Sequence, residues 1–396
     1  MFKEREIQEN MINKTQKKIL LTGARSPCAL ELARQLHFAG HSVFAADTST
    51  MHVLKFSNSI EKFYTIPSPR FDGKGFIKTL NEIVVKEKID LMVPVWEEVM
   101  YLSLYKDQLP KSCEVFCSPF KLVHELHNKW LFIKLLNALE VKAPRSVLLH
   151  TQEDLQDFAF EAPYILKKCF SRGSRDVFKV MTAEIPKINI EPDNPWIAQE
   201  FIKGKNYCSF SVCYQGKLLA HTAYPVQYTI DGSSCVAFEA IDHPAIADWV
   251  ISFVKKINYT GQIAFDFIET EERQLYSIEC NPRATSGIHL FKLEDRLADA
   301  YFHQNTQVIK PNVGNSQQIV AGMLMYGLRS GVIEKKLSLY IKKLLTTKDV
   351  VFSSKDIKPF LFEPLVLTSY WLNSRKSKRS IPALFTYDLE WDEDPK

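Results

Sequence analysis

The sequence predicts a multidomain protein that joins an α/β domain to a region of α+β architecture. Between residues 18 and 117, short apolar runs alternate with amphipathic stretches, a pattern typical of βα units around a parallel sheet. Beyond residue 195, apolar runs follow one another across short polar turns, which indicates antiparallel strands. A chain of 396 residues is long enough for two or three domains with sizeable cores.

Composition and charge exclude several classes of protein. The chain is 46% hydrophobic, and 50 basic against 46 acidic residues leave a net charge of +4, so no overall field points to nucleic acid. Eight cysteines are scattered without a CxxC pair or the histidine spacing of a zinc site. The N-terminus lacks the apolar core of a signal peptide, and no apolar run is long enough to span a bilayer. We therefore expect a cytoplasmic protein without a nucleic-acid or membrane partner.

The first βα unit begins with a strand over residues 18–22 that leads into a helix. Ser26 suits the N-cap, Pro27 the first helical position, and Gly40 the end of the helix. Only one glycine, Gly23, precedes the helix where a dinucleotide fingerprint needs three, so we do not assign that fingerprint.

The same helix N-terminus carries Arg25, for which two interpretations stay open. Arg25 either helps the helix to hold an anion, such as a substrate carboxylate, or belongs to a purely structural turn. Ligands of parallel sheets bind at the carboxyl ends of the strands, which places Arg25, Glu97 and Glu98 near one crevice.

A hairpin within residues 261–291 carries the pattern on which the functional prediction depends. Its charged turn at residues 271–274 would set Asp266 directly opposite Glu279. Like charges in that arrangement destabilise a strand pair unless a cation lies between them. Ile268 and Ser277 are predicted on the face of the two carboxylates, and Phe265, Phe267 and Ile278 on the other.

Two further side chains after the hairpin complete a candidate metal site. Asn281 returns to the face of Glu279 and adds a neutral oxygen, which gives the all-oxygen ligand set that Mg²⁺ prefers. Arg283 adds a fixed positive charge suited to stabilising a phosphoryl group. The alternative is a surface hairpin with solvated acids, but the apolar neighbours in FDFI and YSIEC favour the metal site.

Two lysines precede this hairpin in the chain. Lys167 ends a short apolar strand, PYILK, and a Ser/Gly loop follows it, so the lysine and the exposed backbone N–H groups of the loop could hold phosphate. An ordinary basic hairpin turn is the alternative. Lys129 lies at the start of a helix and alone would be read as a solvated residue. Only the motifs that follow it make it a candidate site residue.

These motifs, in this order and spacing, resemble the ATP-grasp superfamily, most closely its branch of carbamoyl-phosphate synthases and biotin carboxylases. The resemblance covers roughly residues 18–300 and rests on Lys129, PYILKK with SRGS, AQEFIKG, FDF and IECNPR. It implies an ATP-grasp fold preceded by a Rossmann-like parallel α/β domain. The implied divisions are a tail over 1–17, the Rossmann-like domain over 18–118, the ATP-grasp domain over 119–309 with a lid at about 145–200, and a C-terminal segment of unknown role over 310–396.

The resemblance also implies a role for each site residue. Asp266, Glu279 and Asn281 would hold one or two Mg²⁺ or Mn²⁺ ions, and Arg283 and Lys167 would act on the transferred phosphoryl group. ATP would contact the lysines, the flap and the hinge, that is, Lys129, Lys167, Ser171, Gly173, Ser174, Gln199, Glu200, Phe201 and Ile202. Many family members have glutamate where this chain has Asn206, and an amide would bind ribose hydroxyls without charge assistance.

The chemistry that the resemblance implies is phosphoryl transfer from ATP to a small carboxylate, followed by attack of an amine. Phosphorylation of carbamate or bicarbonate is a second possibility, and a non-catalytic ATP sensor is a third. The partners would be the small-molecule acid and amine, with a homodimer possible. We assign no chemistry to the C-terminal segment and interpret its basic cluster at residues 375–379 as a solvated face.

Overall fold

The computed structural model describes residues 16–157, 161–171, 176–181, 186, 188–191, 193–230, 234–327 and 337–391. Within these ranges the chain forms four sheets with helices packed on and between them. No helix in these ranges combines the length and apolarity needed to cross a bilayer. The mixed α/β and α+β architecture agrees with the predicted fold class.

The first sheet is parallel and has the strand order β3-β2-β1-β4-β5. Its strands are short and apolar, and the inner strands β2, β1 and β4 are almost fully buried because helices cover the sheet. The elements are β1 (Lys18–Thr22), α1 (Pro27–Phe38), β2 (Ser42–Asp47), β3 (Lys62–Thr65), α2 (Gly73–Glu87), β4 (Leu91–Pro94), α3 (Val99–Tyr105) and β5 (Glu114–Val115).

Helix α1 begins and ends as its sequence predicts. The side chain of Ser26 accepts a hydrogen bond from the Cys28 N–H, and Pro27 occupies the first turn, where its missing N–H has no intrahelical partner to lose. Gly40 follows the helix with a φ of +89°, a left-handed conformation that favours glycine.

The second sheet is antiparallel, with the order β6-β9-β7-β8. Helices α4 and α5 lead into it, and Asn128 between them caps α5 by accepting from the N–H groups of Trp130 and Leu131. The elements are α4 (Phe120–His127), α5 (Lys129–Ala138), β6 (Ser146–Leu149), α6 (Gln152–Asp157), β7 (Tyr164–Lys168), β8 (Val177–Val180) and β9 (Trp196–Glu200).

The third sheet, in the order β11-β10-β14-β15, is the largest antiparallel unit. One face is apolar and packs on helix α7, where Phe265 and Phe267 meet Val250 and Phe253. The elements are β10 (Lys205–Tyr214), β11 (Lys217–Pro225), β12 (Gln227–Ile230), β13 (Ser234–Glu239), α7 (Pro244–Lys256), β14 (Gly261–Glu269) and β15 (Leu275–Asn281).

The last part of the chain packs on the sheets formed by earlier residues. A fourth sheet, β12-β13-β16-β17, joins it to the middle of the chain, and the residues after α9 pack on the first sheet. The elements are β16 (Ser316–Gln318), α8 (Leu337–Thr346), β17 (Lys348–Asp349), α9 (Lys358–Ser377) and α10 (Ile381–Leu384). Short helical turns at Ser286–Leu290, Leu297–Phe302 and Val320–Gly322 connect the sheets.

Candidate active site

The hairpin of β14 and β15 sets two carboxylates opposite each other. Asp266 pairs with Glu279 in the strand register, as the sequence predicts. The two side chains are half-buried at the surface of the third sheet. Among the described residues no group of three or more His, Cys, Asp and Glu side chains forms a metal site. A cation held here would therefore need Asn281, water and phosphate oxygens to complete its shell.

A β-bulge follows this carboxylate pair and changes the predicted faces. The register shifts between Asp266 and Phe267, so that Phe267 stands opposite Ser277 and Ile278 has no partner residue on β14. Ser277 is consequently buried on the core side with Phe267, and its predicted position beside the carboxylates is wrong. The prediction failed because it assumed an uninterrupted two-residue alternation.

The bulge also orients a lysine toward the carboxylates. The carbonyl of Ile278 accepts a hydrogen bond from Nζ of Lys167 at 2.9 Å. Lys167 comes from the end of β7, in the second sheet, and its side chain is only 5% exposed. Burial lowers the pKa of Lys167 to about 8, and the nearby Lys129 lowers it too, while Glu279 and Asp266 oppose that shift.

Lys129 approaches the same carboxylates from the first turn of α5. Its Nζ lies 3.4 Å from Glu279 Oε1 and donates to the carbonyl of Ser171 at 3.0 Å. The side chain is 4% exposed, so its charge acts where water screens it little. Two lysines and two carboxylates thus form one partly desolvated cluster.

The ionisation of Asp266 reflects this crowding. Burial and the charge of Glu279 raise the pKa of Asp266 to about 6, although Arg283 and Lys129 act in the opposite direction. The thiol of Cys208, on neighbouring β10, donates to Asp266 Oδ1 at 3.1 Å. The raised pKa of Asp266 reflects repulsion between its charge and that of Glu279. A divalent cation bound between the two carboxylates would remove this repulsion.

Arg283 is held beside the carboxylates by two residues that follow β4 of the first sheet. Its Nε lies 2.9 Å from Oε1 of Glu97, which is 1% exposed, and its guanidinium stacks over the ring of Trp96 at 4.9 Å. His127 Nε2 lies 3.6 Å from the other oxygen of Glu97. These contacts fix the direction of the guanidinium before any ligand arrives.

The comparison with protein families supports the interpretation of this geometry. A family profile described as an ATP-grasp domain matches residues 126–287, the stretch that contains both lysines, both carboxylates and Arg283. The chain contains an ATP-grasp domain. The resemblance drawn from the motifs is therefore confirmed.

Solved structures share the fold of this ATP-grasp protein at low sequence identity. An L-amino acid ligase from Bacillus licheniformis has a TM-score of 0.54 at 14% identity, covering 69% of each chain. An N5-carboxyaminoimidazole synthetase from Staphylococcus aureus, complexed with ADP, has a TM-score of 0.60 at 14% identity, covering 81% of this chain and 87% of its own. The biotin carboxylase domain of 2-oxoglutarate carboxylase from Hydrogenobacter thermophilus has a TM-score of 0.53 at 14% identity, covering 69% of this chain and 65% of its own. No curated protein sequence matches the chain significantly.

The predicted flap, residues 171–174, is described in part. Ser171 lies next to Lys129 and is 9% exposed, whereas Gly173 and Ser174 lie outside the described residues. Their assignment to phosphate binding stays a prediction.

The predicted hinge, residues 199–202, spans the end of β9, and two of its side chains have partners. Gln199 donates to the hydroxyl of Ser146 at 3.0 Å, and the carboxylate of Glu200 pairs with Arg145 at 3.0 Å. The ring of Phe201 lies 3.9 Å from Nζ of Lys179, and Ile202 is half-buried. Because both polar side chains already have partners, an adenine bound here would meet the backbone groups of the hinge.

Gly204 explains the shape of the turn after the hinge. A Cβ at this position would lie 2.2 Å from the carbonyl oxygen of Glu269, so only glycine lets β10 start beside β14. Asn206 then faces the same side as Cys208 and Asp266, and it is exposed to solvent. It stays a candidate ligand for ribose hydroxyls. Asn281 is 8% exposed at the end of β15 and stays a candidate metal ligand.

Arg25 does not hold a free anion-binding position. Its guanidinium pairs with Asp47 Oδ1 at 2.6 Å and with Asp388 Oδ1 at 2.7 Å, and it is 3% exposed. The structural interpretation of this turn is therefore the correct one. The sequence could not reveal it because Asp388 lies more than 360 residues away.

Glu98 is buried and accepts hydrogen bonds from residues at the ends of β1 and β4. It accepts from the hydroxyl of Thr22 and from the N–H of Val95 at 3.0 Å. Burial raises the pKa of Glu98. Of the two neighbouring glutamates, only Glu97 reaches the active site.

Two histidines that follow the hinge in sequence, His221 and His289, are buried and contact protein side chains. His221 lies 3.0 Å from the hydroxyl of Ser211, on the α7 side of the sheet, and burial lowers its pKa to about 3. His289 packs against Phe238 and contacts Glu31. Although burial opposes it, bonding to Cys28 and Glu31 raises the pKa of His289 to about 9.

Sequence reasoning missed three residues of the site: Glu97 as the partner of Arg283, Trp96 beneath its guanidinium, and Cys208 on Asp266. Each contact joins segments more than 50 residues apart. Only the register of β10 with β14, and the docking of the first domain on β15, brings them together, and one sequence carries no signal for either.

Proposed function

We propose that this protein is an ATP- and Mg²⁺-dependent ligase that activates a small carboxylate as an acyl phosphate for attack by an amine. The observation that carries the proposal is the convergence of Lys129, Lys167 and Arg283 on the facing pair Asp266 and Glu279. Cations of fixed direction around a carboxylate pair suit a triphosphate with its metal, and phosphoryl transfer needs positioning and charge neutralisation more than a covalent nucleophile.

Each residue of the cluster would have its own role. Asp266, Glu279 and Asn281 would hold the metal, which supplies neutralisation of charge on the phosphate oxygens. Lys129 and Lys167 would bind phosphate oxygens, and Arg283 would face the transferred phosphoryl group. Structures with this fold include complexes with ADP and with MgADP, which supports both cofactors.

The reaction balances in two steps. A carboxylate oxygen forms a bond to the γ-phosphorus of ATP while the bond to the bridging oxygen breaks and ADP leaves. The amine nitrogen then attacks the acyl carbon, phosphate leaves, and the nitrogen loses a proton to solvent, so that an amide remains. The similarity to an L-amino acid ligase supports an amino acid as one substrate.

A second candidate is phosphorylation of bicarbonate or carbamate. Its support is the shared fold with a biotin carboxylase domain whose structure contains MgADP and bicarbonate. In that case ADP release would depend on bicarbonate and would need no amine.

The test is release of ADP and phosphate from ATP and Mg²⁺ in the presence of amino-acid pairs, with a parallel arm that contains bicarbonate alone. Turnover that requires an acid and an amine supports the ligase, and turnover with bicarbonate alone supports the second candidate. Asp266→Ala and Glu279→Ala should abolish the activity, whereas Glu271→Ala, an exposed acid in the turn of the same hairpin, should retain it. Tight ATP binding without turnover in any arm would identify a sensor and refute both enzyme proposals.

A further inference from the structure

Helix α9 is apolar on two opposite sides, and only one of them is covered by described residues. Pro359, Val366 and Tyr370 are buried against the body of the protein, where the helix packs on the short turn Val53–Phe56 and on α10. The other side presents large apolar groups to solvent. A helix that is apolar on two sides needs cover on both.

The exposed apolar groups form one stripe, which the exposed Thr368 interrupts between Leu365 and Leu372. Leu361, Leu365 and Leu372 follow one another at helical spacing, and the exposed fractions of Leu361 and Leu372 are 63% and 55%. Phe360 and Trp371 extend the stripe sideways, and Phe352 packs edge-on against Phe360 to lengthen it. Scattered exposed leucines are ordinary, but six large exposed apolar groups gathered on one side of a helix indicate an interaction surface.

The charges around the stripe are nearly all positive. Between residues 355 and 379 the sequence contains six basic and two acidic residues. Of the two acids, Asp356 is buried in an ion pair with Arg34 at 3.0 Å, and Glu363 is partly buried on the side away from the stripe. The exposed basic residues at the two ends of the helix are Lys355, Lys358, Arg375, Lys376 and Lys378.

This charge pattern decides between the possible occupants. A second copy packed antiparallel on the same helix would place the basic C-terminal end of one helix beside the lysines at the start of the other, and like charges would oppose the pairing. An anionic surface meets both the charges and the apolar stripe. Trp371, with the guanidinium of Arg375 stacked on its ring at 5.0 Å, suits the boundary between headgroups and acyl chains.

We propose that α9 binds the surface of a bilayer that contains anionic lipids, with its leucine stripe in the interface and its basic ends on the headgroups. Such a helix lies in the plane of the interface and does not cross the membrane. Attraction to anionic lipid supplies the second part of the binding, beside apolar burial. The basic cluster that the sequence suggested to be a solvated face would then be part of a lipid-binding surface.

The experiment uses the full-length protein and two kinds of vesicle, phosphatidylcholine alone and phosphatidylcholine with phosphatidylglycerol. We expect cosedimentation with the anionic vesicles, weaker binding at high salt, and a blue shift of tryptophan fluorescence. Two variants separate the two parts of the interaction. Both the triple variant Leu361→Gln, Leu365→Gln and Leu372→Gln, and the variant with Arg375, Lys376, Lys378 and Arg379 changed to Gln, should weaken binding by about tenfold or more.

Matched controls change the same chemistry elsewhere. Val85→Gln replaces an exposed apolar residue on α2, and Lys74, Lys78, Lys86 and Lys88, all exposed on or next to α2, can be changed to Gln together. These controls should bind like the unchanged protein. Trp371→Phe should bind vesicles but lose the blue shift, which assigns the contact to α9 even if another variant folds poorly.

Three outcomes would overturn the proposal. One is absence of binding to anionic vesicles, and another is equal binding by the α9 variants and the unchanged protein. The third is a dimer in solution that the leucine variants dissociate, because the stripe would then be covered by a second copy.

Discussion

At the scale of single residues, the surroundings of Asp266 disfavour the charged form of its carboxyl group. Its pKa is raised to about 6 by burial and by the charge of Glu279, so the native state binds this proton more tightly than the unfolded chain does. Ionisation at neutral pH therefore lowers the stability of the ligand-free protein. A cation bound between Asp266 and Glu279, as we propose, would remove this unfavourable interaction.

The variant Asp266→Asn tests this directly because its effects on stability and on function have opposite signs. Without the charge, the free energy of unfolding at pH 7 in the absence of Mg²⁺ should rise by roughly 1–3 kcal/mol. Binding of Mg²⁺ with ATP should fall by about 100-fold or more, because a ligand has lost its charge. Urea unfolding and calorimetric titration measure the two effects. A loss of stability on this substitution would show that Asp266 is structural.

The pH dependence of Mg²⁺–ATP binding should have two limbs. Below about pH 6 Asp266 takes up a proton and no longer attracts the cation, and above about pH 8 Lys167 loses the proton with which it attracts phosphate. We expect the highest affinity near pH 7, measured by titration calorimetry. In Lys167→Arg the alkaline limb should move to higher pH, since guanidinium keeps its charge there. An unchanged alkaline limb in that variant would assign the limb to another group.

Glu97 is a positioning residue, because it touches Arg283 and not the reacting groups. We expect Glu97→Gln to lower kcat by about 10- to 100-fold while the KM for ATP changes by about twofold or less, since the lysines and the hinge are unaltered. Glu114→Gln is the control, because Glu114 is an exposed acid on β5, the edge strand of the first sheet. Steady-state kinetics at saturating substrates separates the two constants. A rise in the KM for ATP as large as the fall in kcat would mean that the substitution disturbs the whole fold.

At the scale of secondary-structure elements, the sequence predicts strands and helices well wherever local chemistry determines them. The apolar run of β1, the cap at Ser26 and the facing pair Asp266 and Glu279 follow from alternation and from capping preferences. The bulge after Asp266 does not, because one extra residue in a strand leaves no local mark. The carbonyl of Ile278, at the bulge, accepts a hydrogen bond from Lys167, so the feature that the sequence could not predict shapes the candidate site.

The C-terminal residues form a strap over the carboxyl edge of the first sheet. Asp388 pairs with Arg25, its backbone carbonyl accepts from Ser68 at 2.6 Å, and Tyr101 donates to the carbonyl of Glu390 at 2.7 Å. Trp391 packs in the core of the first domain against Tyr101 and Phe120. The strap occupies the edge at which parallel sheets commonly bind ligands, which agrees with placing the nucleotide in the second and third sheets instead.

Removing the charge of Asp388 should loosen this strap. We expect Asp388→Asn to lower the free energy of unfolding by about 2–4 kcal/mol at pH 7, because Arg25 is left buried with one carboxylate instead of two. Although burial opposes it, bonding to Arg25 lowers the pKa of Asp388, so its contribution is lost as the pH falls below about 3.8. Urea unfolding of the two proteins should therefore differ at pH 7 and converge in acid.

The exposed Asp107 provides the matched control, and Asp107→Asn should leave the unfolding curve unchanged. A stability gap that persists at low pH would contradict the ion-pair explanation and point to lost packing.

At the scale of the whole molecule, the first domain and the third sheet are joined by buried polar contacts. Gln262 donates to the carbonyl of Pro94 at 2.8 Å and accepts from Tyr301, and Glu97 holds Arg283. The second sheet reaches the active site through Lys167 and Ser171, which contact Ile278 and Lys129. A nucleotide bound between the two lysines and the carboxylates would therefore join the second sheet to a preassembled body.

Hydrogen exchange of backbone amides should report that joining. On addition of Mg²⁺ and ADP, we expect slower exchange in β7, in β9 and in the rest of the hinge, residues 201–202, because nucleotide contacts oppose local opening of the second sheet. Amides of β1 and β4, already buried in the first domain, should exchange at an unchanged rate. The protection should disappear without Mg²⁺ and in Asp266→Asn, which has lost a metal ligand but keeps the fold. If protection appeared only around β1 and β4, the nucleotide would bind the first domain, and the assignment of the site to the second and third sheets would be wrong.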